Sequence, residues 1–201
     1  MIRNQLLARD IDDPRVIEAM SRVPREKFVP PELKDQAYQD GPLPIGYGQT
    51  ISQPYIVALM SQFLELKGDE KVLDIGTGSG YQAAVLSLLA REVISVERIP
   101  QLAKKAKRLL KELNYHNVKV VIADGSQGLA EEAPFDAIVC AAATKEIPQA
   151  WKEQLKDGGR IVVPLERGYY QELVRLIKKG DQFISQSFGP VAFVPLIRGM
   201  S

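Results

Sequence analysis

From Gly68 onward, short apolar runs alternate with longer stretches whose apolar residues recur at helical spacing. Short apolar runs bounded by turn residues predict strands, and helical spacing predicts amphipathic helices. The predicted strands are Lys71–Ile75, Glu92–Val96, Val118–Ala123, Asp136–Cys140 and Gly159–Pro164. The predicted helices between them are Tyr81–Ala90, Gln101–Leu113 and Ile147–Leu155. This alternation favours an α/β fold with a doubly wound, mostly parallel sheet.

The C-terminal part of the chain departs from this alternation. Glu172–Lys179 and Gln182–Phe188 predict two further strands, with no helical segment between them. They are separated by Lys179-Gly-Asp181, which is typical of a hairpin turn. We therefore expect a C-terminal antiparallel strand pair to end the sheet.

The first 66 residues predict a helical N-terminal extension that is interrupted by prolines. Short helices are predicted at Arg15–Ser21 and Pro31–Tyr38. The segment Gly41–Gly48 is punctuated by glycine and proline and predicts a loop long enough to be functional. Another helix is predicted from Ser52-Gln-Pro54 to Leu66, with the proline in its first turn. We expect one domain, 1–201, with the extension and a substrate loop in 1–66 and a cofactor-binding sheet in 67–201.

Composition and charge exclude several classes of partner. The chain has 201 residues, of which 45% are hydrophobic and 25% charged, as in ordinary globular proteins. A formal net charge of +1 provides no broad basic surface, so we expect neither nucleic acid nor a membrane as partner. The lysines clustered in Gln101–Leu113 lie at helical spacing and are most simply a solvated face. No stretch approaches the length needed to span a bilayer.

Cysteine usage and the N-terminus bear on where the protein works. Cys140 is the only cysteine, so an intrachain disulfide is impossible, which fits a reducing compartment. Residues 1–13 lack the apolar core of a signal peptide and include Arg3, Arg9 and Asp10. We expect a cytoplasmic protein, and we further expect a monomer with no bound metal.

Three glycines follow the first predicted strand of the sheet, in Val72-Leu-Asp-Ile-Gly-Thr-Gly-Ser-Gly80. Glycines at such a junction let the backbone turn tightly and approach a ligand closely. The spacing departs from the G-x-G-x-x-G pattern of dinucleotide sites, because the sixth position is Tyr81. Asp74 lies just before the glycines, where a carboxylate would repel a pyrophosphate. It suits instead the amino and sulfonium groups of S-adenosylmethionine.

Acidic residues also follow the next two predicted strands. Glu97 lies about 20 residues after Gly76, where an acidic residue typically binds a ribose diol. Asp124-Gly125 follows the third strand, and Asp124 could accept a hydrogen bond from an adenine amino group. Each acidic residue has a plainer explanation, as a helix cap (Asp74), a surface ion pair (Glu97) or an ordinary loop residue (Asp124). Suitable chemistry at three successive strand ends favours a ligand site.

With these residues placed, the chain resembles the class I methyltransferases, and most closely the protein-L-isoaspartate O-methyltransferases. The segment Gly46-Tyr-Gly-Gln-Thr-Ile-Ser-Gln-Pro54 is similar to the hallmark loop of that family and is its specific signature. The other segments that resemble the family are Val23–Pro30, Val72–Gly80, Phe135–Val139 and Val194–Leu196. Together they cover almost the whole chain in order. The resemblance implies a Rossmann-like methyltransferase sheet.

The resemblance also implies an activity. This family transfers a methyl group from S-adenosylmethionine to the free carboxylate of L-isoaspartyl residues in damaged proteins and peptides, and S-adenosylhomocysteine is the other product. The methyl ester collapses to a succinimide, whose hydrolysis returns some normal aspartate and so initiates repair. Isoaspartyl proteins and peptides are thus the implied partners, and D-aspartyl residues remain an open second acceptor.

Roles of individual residues follow by resemblance only. Ser52 matches the serine usually assigned to the active site, and Thr50 and Ile51 match the loop that closes over cofactor and peptide. Val194 and Leu196 match a late segment that lines the peptide channel. The implied cofactor contacts are Asp74, Gly76, Thr77, Gly78, Glu97, Asp124 and Gly125.

The proposed chemistry needs no strong general base, because a carboxylate with a reference pKa of about 4 is already ionised at neutral pH. His116, the only histidine, lies far along the chain from the hallmark loop, and Cys140 is expected in a buried strand. Val57 stands where some family members carry a histidine near the cofactor, so we expect no such contact. We expect catalysis by positioning and water exclusion, with the Ser52 hydroxyl donating to one carboxylate oxygen. The alternative is that Ser52 only caps the following helix.

A methyltransferase acting on RNA or a small metabolite is the main alternative function. An amino-directed nucleic-acid enzyme would carry an Asn/Asp-Pro-Pro-aromatic motif after the fourth strand, where this chain has Cys140-Ala-Ala-Ala-Thr144. A nucleotide-binding module without catalysis is disfavoured by the intact hallmark loop. An oxidoreductase is disfavoured by the glycine spacing.

Overall fold

The computed structural model describes residues 1–199 and begins with an N-terminal region of short helices and one hairpin. Its elements are a π-helical turn (Ile2–Leu6), α1 (Pro14–Arg22), two 3-10 helices (Arg25–Lys27 and Pro31–Gln36), β1 (Leu43–Gly46), β2 (Gln49–Ile51) and α2 (Pro54–Phe63). The Asp13 carboxylate caps α1 by accepting the backbone N–H of Arg15 at 2.8 Å. The helix predicted at 31–38 is a 3-10 helix, and α2 ends before Leu66 because Glu65 adopts a left-handed backbone, with φ +48°.

The segment 41–48, predicted as a loop, instead forms β1 and the tip of a hairpin with β2. Leu43 and Ile45 are buried and alternate with exposed residues, so β1 has one face in the core. The tip passes through Gly46, Tyr47 and Gly48 with φ of +93°, +55° and +69°. The two glycines adopt such values without steric cost, whereas Tyr47 is a non-glycine residue in the left-handed region. The prolines beside Leu43 and Ile45 hide this alternation in the sequence.

The remaining strands form one seven-stranded sheet. They are β3 (Lys71–Ile75), β4 (Glu92–Glu97), β5 (Val118–Ile122), β6 (Phe135–Cys140), β7 (Leu155–Arg167), β8 (Tyr170–Lys179) and β9 (Gln182–Val191). Their order is β5-β4-β3-β6-β7-β8-β9. The first five in this order are parallel, whereas β8 and β9 run antiparallel to their neighbours. The mostly parallel α/β sheet with a C-terminal antiparallel pair is therefore confirmed.

The sheet has a hydrophobic core on each face. Val72 and Val93 face one core, which also contains buried residues of the N-terminal region such as Leu6 and Met20. Leu73 and Ile94 face the other, together with Trp151. The helices after the N-terminal region are α3 (Tyr81–Ser87), α4 (Pro100–Glu112) and α5 (Gln149–Gln154). Since residues 1–66 share a core with one face of the sheet, the β1–β2 hairpin is held against the sheet rather than tethered loosely.

The carboxyl ends of the parallel strands meet at one edge of the sheet. Ile75 of β3 is in register with Val96 of β4 and with Cys140 of β6. Beyond this edge, Leu196 donates its backbone N–H to the Ala143 carbonyl at 2.6 Å, which ties the C-terminal segment to the loop after β6. Within residues 1–199 the longest helix, α4, has 13 residues, and none is both long and apolar enough to cross a bilayer.

Candidate active site

A cavity of about 700 Å³ opens at the carboxyl edge of the parallel strands. Its size is that of a small-molecule or cofactor site, and in open α/β sheets such sites lie at this edge. It brings together eight of the residues predicted from the sequence: Thr50, Ser52, Gly76, Gly78, Glu97, Gly125, Val194 and Leu196. The hallmark loop, the glycine turn and the late C-terminal segment thus face one space.

Two other predicted residues lie just beside this cavity. Ile51 and Thr77 border a second space of about 30 Å³, which shares Ser52, Gly76 and Gly78 with the larger one. A space of this size holds about one water molecule. These two residues therefore lie next to the main cavity without lining it.

Glu97 is a fixed acceptor in the cavity wall. It is only 6% exposed, at the end of β4. One carboxylate oxygen accepts the backbone N–H of Gly78 at 2.8 Å, and the other accepts that of Ile99 at 2.9 Å. These bonds hold the carboxylate to the glycine turn. Since each carboxylate oxygen has two lone pairs, capacity remains for a ligand hydroxyl.

Asp74 lies beneath the glycine turn and lines neither cavity. It is completely buried, and one oxygen accepts the Ser95 hydroxyl at 2.7 Å. The Ser95 oxygen lies 2.6 Å from the Thr77 hydroxyl, which donates to it because the Ser95 proton is already used. The other oxygen of Asp74, Oδ1, is buried without a partner. Burial raises the pKa of Asp74 to about 7, because an ionised carboxylate is poorly solvated there.

Asp124 anchors the C-terminal segment and also lies outside the cavity wall. Its carboxylate accepts the backbone N–H groups of Ser126 at 2.9 Å and Gly199 at 2.6 Å. Partial burial acts to raise the pKa of Asp124, but these two N–H groups and Arg98 outweigh burial and hold it below its usual value. Arg98 also donates to the Gly199 carbonyl at 3.0 Å. The role expected for Asp124 at an adenine amino group stays a prediction.

Ser52 lines the cavity, and its hydroxyl has no hydrogen-bond partner among the described residues 1–199. The helix that follows has Gln53 at its N-cap and no side-chain capping bond, so Ser52 does not cap it. The Ser52 carbonyl accepts the Arg25 guanidinium at 2.7 Å. The backbone of Ser52 is therefore held in place while its hydroxyl stays available.

Several residues of the cavity wall were missed from the sequence. Ala141 and Ala142 line the cavity just after β6. The rule that ligands bind beyond strand ends, already applied to Asp124-Gly125, would have found them. The stretch 190–193 also contributes, because β9 ends at this edge. The fully buried Arg25 gave no signal in its local sequence pattern.

Neither residue that could supply a conventional base or nucleophile belongs to this cavity. Cys140 is completely buried at the end of β6, and burial raises the pKa of its thiol to about 12. His116 follows α4 in a turn and does not line the cavity. Within residues 1–199, no cluster of three or more histidine, cysteine or acidic side chains is placed to hold a metal ion.

Comparison with known proteins gives matches over the full length of the chain. A family model described as protein-L-isoaspartate(D-aspartate) O-methyltransferase matches residues 1–201. The chain is 55% identical to protein-L-isoaspartate O-methyltransferase 2 of Marinobacter nauticus, over 98% of this chain and 91% of that protein. It is 54% identical to protein-L-isoaspartate O-methyltransferase 1 of Syntrophobacter fumaroxidans, over 98% and 92% of the two chains.

A solved structure is similar in fold as well as in sequence. It is a putative protein-L-isoaspartate O-methyltransferase of Plasmodium falciparum in complex with S-adenosyl-L-homocysteine. The TM-score is 0.86 at 28% identity, and the match covers 98% of this chain and 97% of that chain.

The buried carboxyl of Asp74 predicts a pH-dependent cost to stability. The folded-state pKa, about 7, exceeds the ordinary value of 3.8, so folding loses free energy as pH rises from about 4 to about 7. Asp74→Asn removes this ionisation. Relative to the variant, we expect the wild type to lose roughly 2–3 kcal/mol of unfolding free energy between pH 5 and pH 8.

Urea unfolding of both proteins at pH 5 and pH 8 measures this difference. Asp69→Asn, which changes an exposed carboxyl, is the matched control and should give the same difference at both pH values. A gap between wild type and Asp74→Asn that does not change with pH would rule out the buried ionisation.

Proposed function

Because the chain belongs to the protein-L-isoaspartate(D-aspartate) O-methyltransferase family, we propose that this cavity joins S-adenosylmethionine to the free carboxylate of an L-isoaspartyl residue. The enzyme methylates that carboxylate in damaged proteins and peptides and so initiates their repair. One observation carries the assignment of the site: a fixed carboxylate, Glu97, and an unpartnered hydroxyl, Ser52, line the same 700 Å³ cavity.

The residues present fit S-adenosylmethionine. Glu97 offers acceptor capacity for the two hydroxyls of a ribose. Gly76 and Gly78 have φ of +94° and +52°, which lets the backbone turn close to a ligand. Gly125 lines the same cavity, and Thr77 lies beside it within the glycine turn. Asp74 acts from beneath the turn, where its partnerless Oδ1 favours a positive charge above it.

The reaction requires the protein mainly to position the two reactants. S-adenosylmethionine supplies a methyl group on a positively charged sulfur. The acceptor carboxylate needs no deprotonation at neutral pH, in keeping with the absence of His116 and Cys140 from the cavity wall. Ser52 donates its hydroxyl to one carboxylate oxygen and leaves the other oxygen directed at the methyl group. A charge-assisted bond of this kind is stronger than a neutral one.

Apolar residues keep water from the acceptor. Val194 and Leu196 line the cavity, and backbone hydrogen bonds of 2.8 and 2.6 Å tie both to Ala143. Thr50 lines the cavity and Ile51 is buried beside it. Removing water strengthens the electrostatic contacts that orient the carboxylate.

We also propose that the chain acts as a single-domain monomer in the cytoplasm, without nucleic acid as partner. The shared core of residues 1–66 and the sheet supports one domain. The net charge of +1 supports the exclusion of nucleic acid, and the single buried cysteine fits a reducing compartment.

The acceptor is tested with two synthetic peptides that differ only in aspartate or L-isoaspartate at one position. With labelled S-adenosylmethionine, we expect base-labile label only in the isoaspartyl peptide. Transfer to neither peptide, with cofactor binding intact by calorimetry, would favour a methyltransferase of RNA or a small metabolite. A third peptide with D-aspartate decides whether that residue is also an acceptor.

Ser52→Ala should lower kcat for the isoaspartyl peptide about 10- to 100-fold, because one hydrogen bond to a charged oxygen is lost. Cofactor affinity should not change. Ser52→Asp should abolish transfer, because two carboxylates would repel each other. Ser185→Ala, an exposed serine of β9, is the control. Steady-state kinetics that leave kcat unchanged in Ser52→Ala would remove Ser52 from the mechanism.

Glu97→Gln should weaken S-adenosylmethionine binding by about 10- to 100-fold. The glutamine amide nitrogen would face the N–H of Gly78 or Ile99, so two donors would oppose each other while the ribose lost an ionic acceptor. Glu92→Gln, at the opposite end of the same strand, is the matched control. Isothermal titration calorimetry measures both, and equal affinities would exclude Glu97 as the ribose ligand.

A further inference from the structure

Arg25 is a fully buried arginine that the mechanism above does not use. Its Nε donates to the Ala37 carbonyl at 2.6 Å, and its Nη2 donates to the Ser52 carbonyl at 2.7 Å. Its Nη1 is buried with no hydrogen-bond partner. The guanidinium also lies over the ring of Tyr81, 4.8 Å from the centroid, directly after the glycine turn. Arg25 thus joins the N-terminal region, the hallmark loop and the start of α3.

The charge of Arg25 is not compensated by a carboxylate. Within residues 1–199, every ion pair involves another basic residue, and the groups that interact electrostatically with Arg25 are the phenols of Tyr81 and Tyr38. Burial lowers the pKa of Arg25, but a guanidinium is so strongly basic that it stays protonated at neutral pH. Burying an unpaired cation costs desolvation free energy. An arginine with a purely structural role would therefore be expected to pair with a carboxylate of the protein itself.

Arg25 has no carboxylate partner in the part of the chain that the structure describes, and the acceptor of the proposed reaction is itself a carboxylate. We propose that Arg25 is a positioning residue that makes the position beside Ser52 selective for a carboxylate over a neutral group. This inference rests on the proposed function, because it takes the acceptor to be an isoaspartyl carboxylate next to the Ser52 hydroxyl. Arg25 acts in two ways: its grip on the Ser52 carbonyl fixes the loop, and its charge offsets the cost of stripping water from the acceptor.

Arg25 lies close enough to the proposed acceptor for its charge to change peptide affinity. Nη2 lies 2.7 Å from the Ser52 carbonyl oxygen. The hydroxyl of the same residue is only a few bonds away, so an acceptor bonded to it lies on the order of 10 Å from the charge. At the effective dielectric constant of a protein site, opposite charges at that separation change affinity by about tenfold or more.

The test compares peptides that carry L-isoaspartate or the neutral L-isoasparagine at one position. Their affinities for wild type, Arg25→Met and Arg25→Lys are measured by calorimetry in the presence of S-adenosylhomocysteine. For Arg25→Met we expect the preference for the isoaspartyl over the isoasparaginyl peptide to fall about tenfold or more. Loss of the bond to the Ser52 carbonyl weakens both peptides, whereas loss of the charge weakens only the isoaspartyl peptide. Arg25→Lys keeps the charge without the planar clamp, so it should keep most of the preference for the anion.

Arg175→Met is the matched control. Arg175 is also largely buried and donates to a backbone carbonyl, that of Phe63 at 3.2 Å, but its guanidinium pairs with Glu65 at 2.6 Å instead of bonding Ser52. It should leave the peptide preference unchanged. Affinity for S-adenosylhomocysteine reports whether each variant is folded. If Arg25→Met does not fold, the peptide preference of Arg25→Lys provides the test.

Three outcomes would overturn the inference. Equal loss for both peptides would make Arg25 structural only. Unchanged preference in a folded Arg25→Met would show that its charge does not reach the acceptor, and loss of preference in Arg25→Lys would show that the charge is not what selects the anion. A wild type that does not prefer the isoaspartyl peptide would instead remove the proposed acceptor, and this inference with it.

Discussion

The in-step register of β3 with its two parallel neighbours is the constraint on which the site depends. The Gly76 N–H donates to the Val96 carbonyl at 2.9 Å, and the Ala141 N–H donates to the Ile75 carbonyl at 3.0 Å. The three strands therefore end at the same edge of the sheet, so the loops that follow them converge on one cavity. A slip of one residue would turn Glu97 from the cavity toward the opposite face of the sheet.

The periodic part of the fold could be predicted from the sequence, because each strand of the parallel sheet is a short apolar run between turn signals. The confirmed antiparallel pair, β8 and β9, was readable from the turn at Gly180, where φ is +58°. The β1–β2 hairpin was not readable. Its strands have only four and three residues, and prolines interrupt the alternation of Leu43 and Ile45.

Residues of the candidate site could be predicted where a polar side chain lies at the end of a predicted strand, as at Glu97. They could also be predicted where a family signature exists, as at Ser52. They could not be predicted where a side chain acts through tertiary contacts. Asp124 could not be seen to bond Gly199, which is 75 positions further along the chain. Arg25 could not be seen to reach the carbonyl of Ser52, 27 positions away, because burial of its guanidinium arises only when three parts of the fold pack together.

Two uncompensated polar groups are buried behind the cavity, and their signs match the reactants they would face. The partnerless oxygen of Asp74 lies beneath the glycine turn, on the side proposed for a cationic sulfonium. The guanidinium of Arg25 lies behind Ser52, on the side proposed for an anionic carboxylate. Each group costs stability in the empty protein. Methyl transfer partly neutralises both reactant charges in the transition state, so a preorganised field of this polarity favours binding of the charged reactants more than it favours the transition state. The barrier must therefore be lowered mainly by alignment of the two reactants, which the fixed backbone of Ser52 and the fixed carboxylate of Glu97 provide.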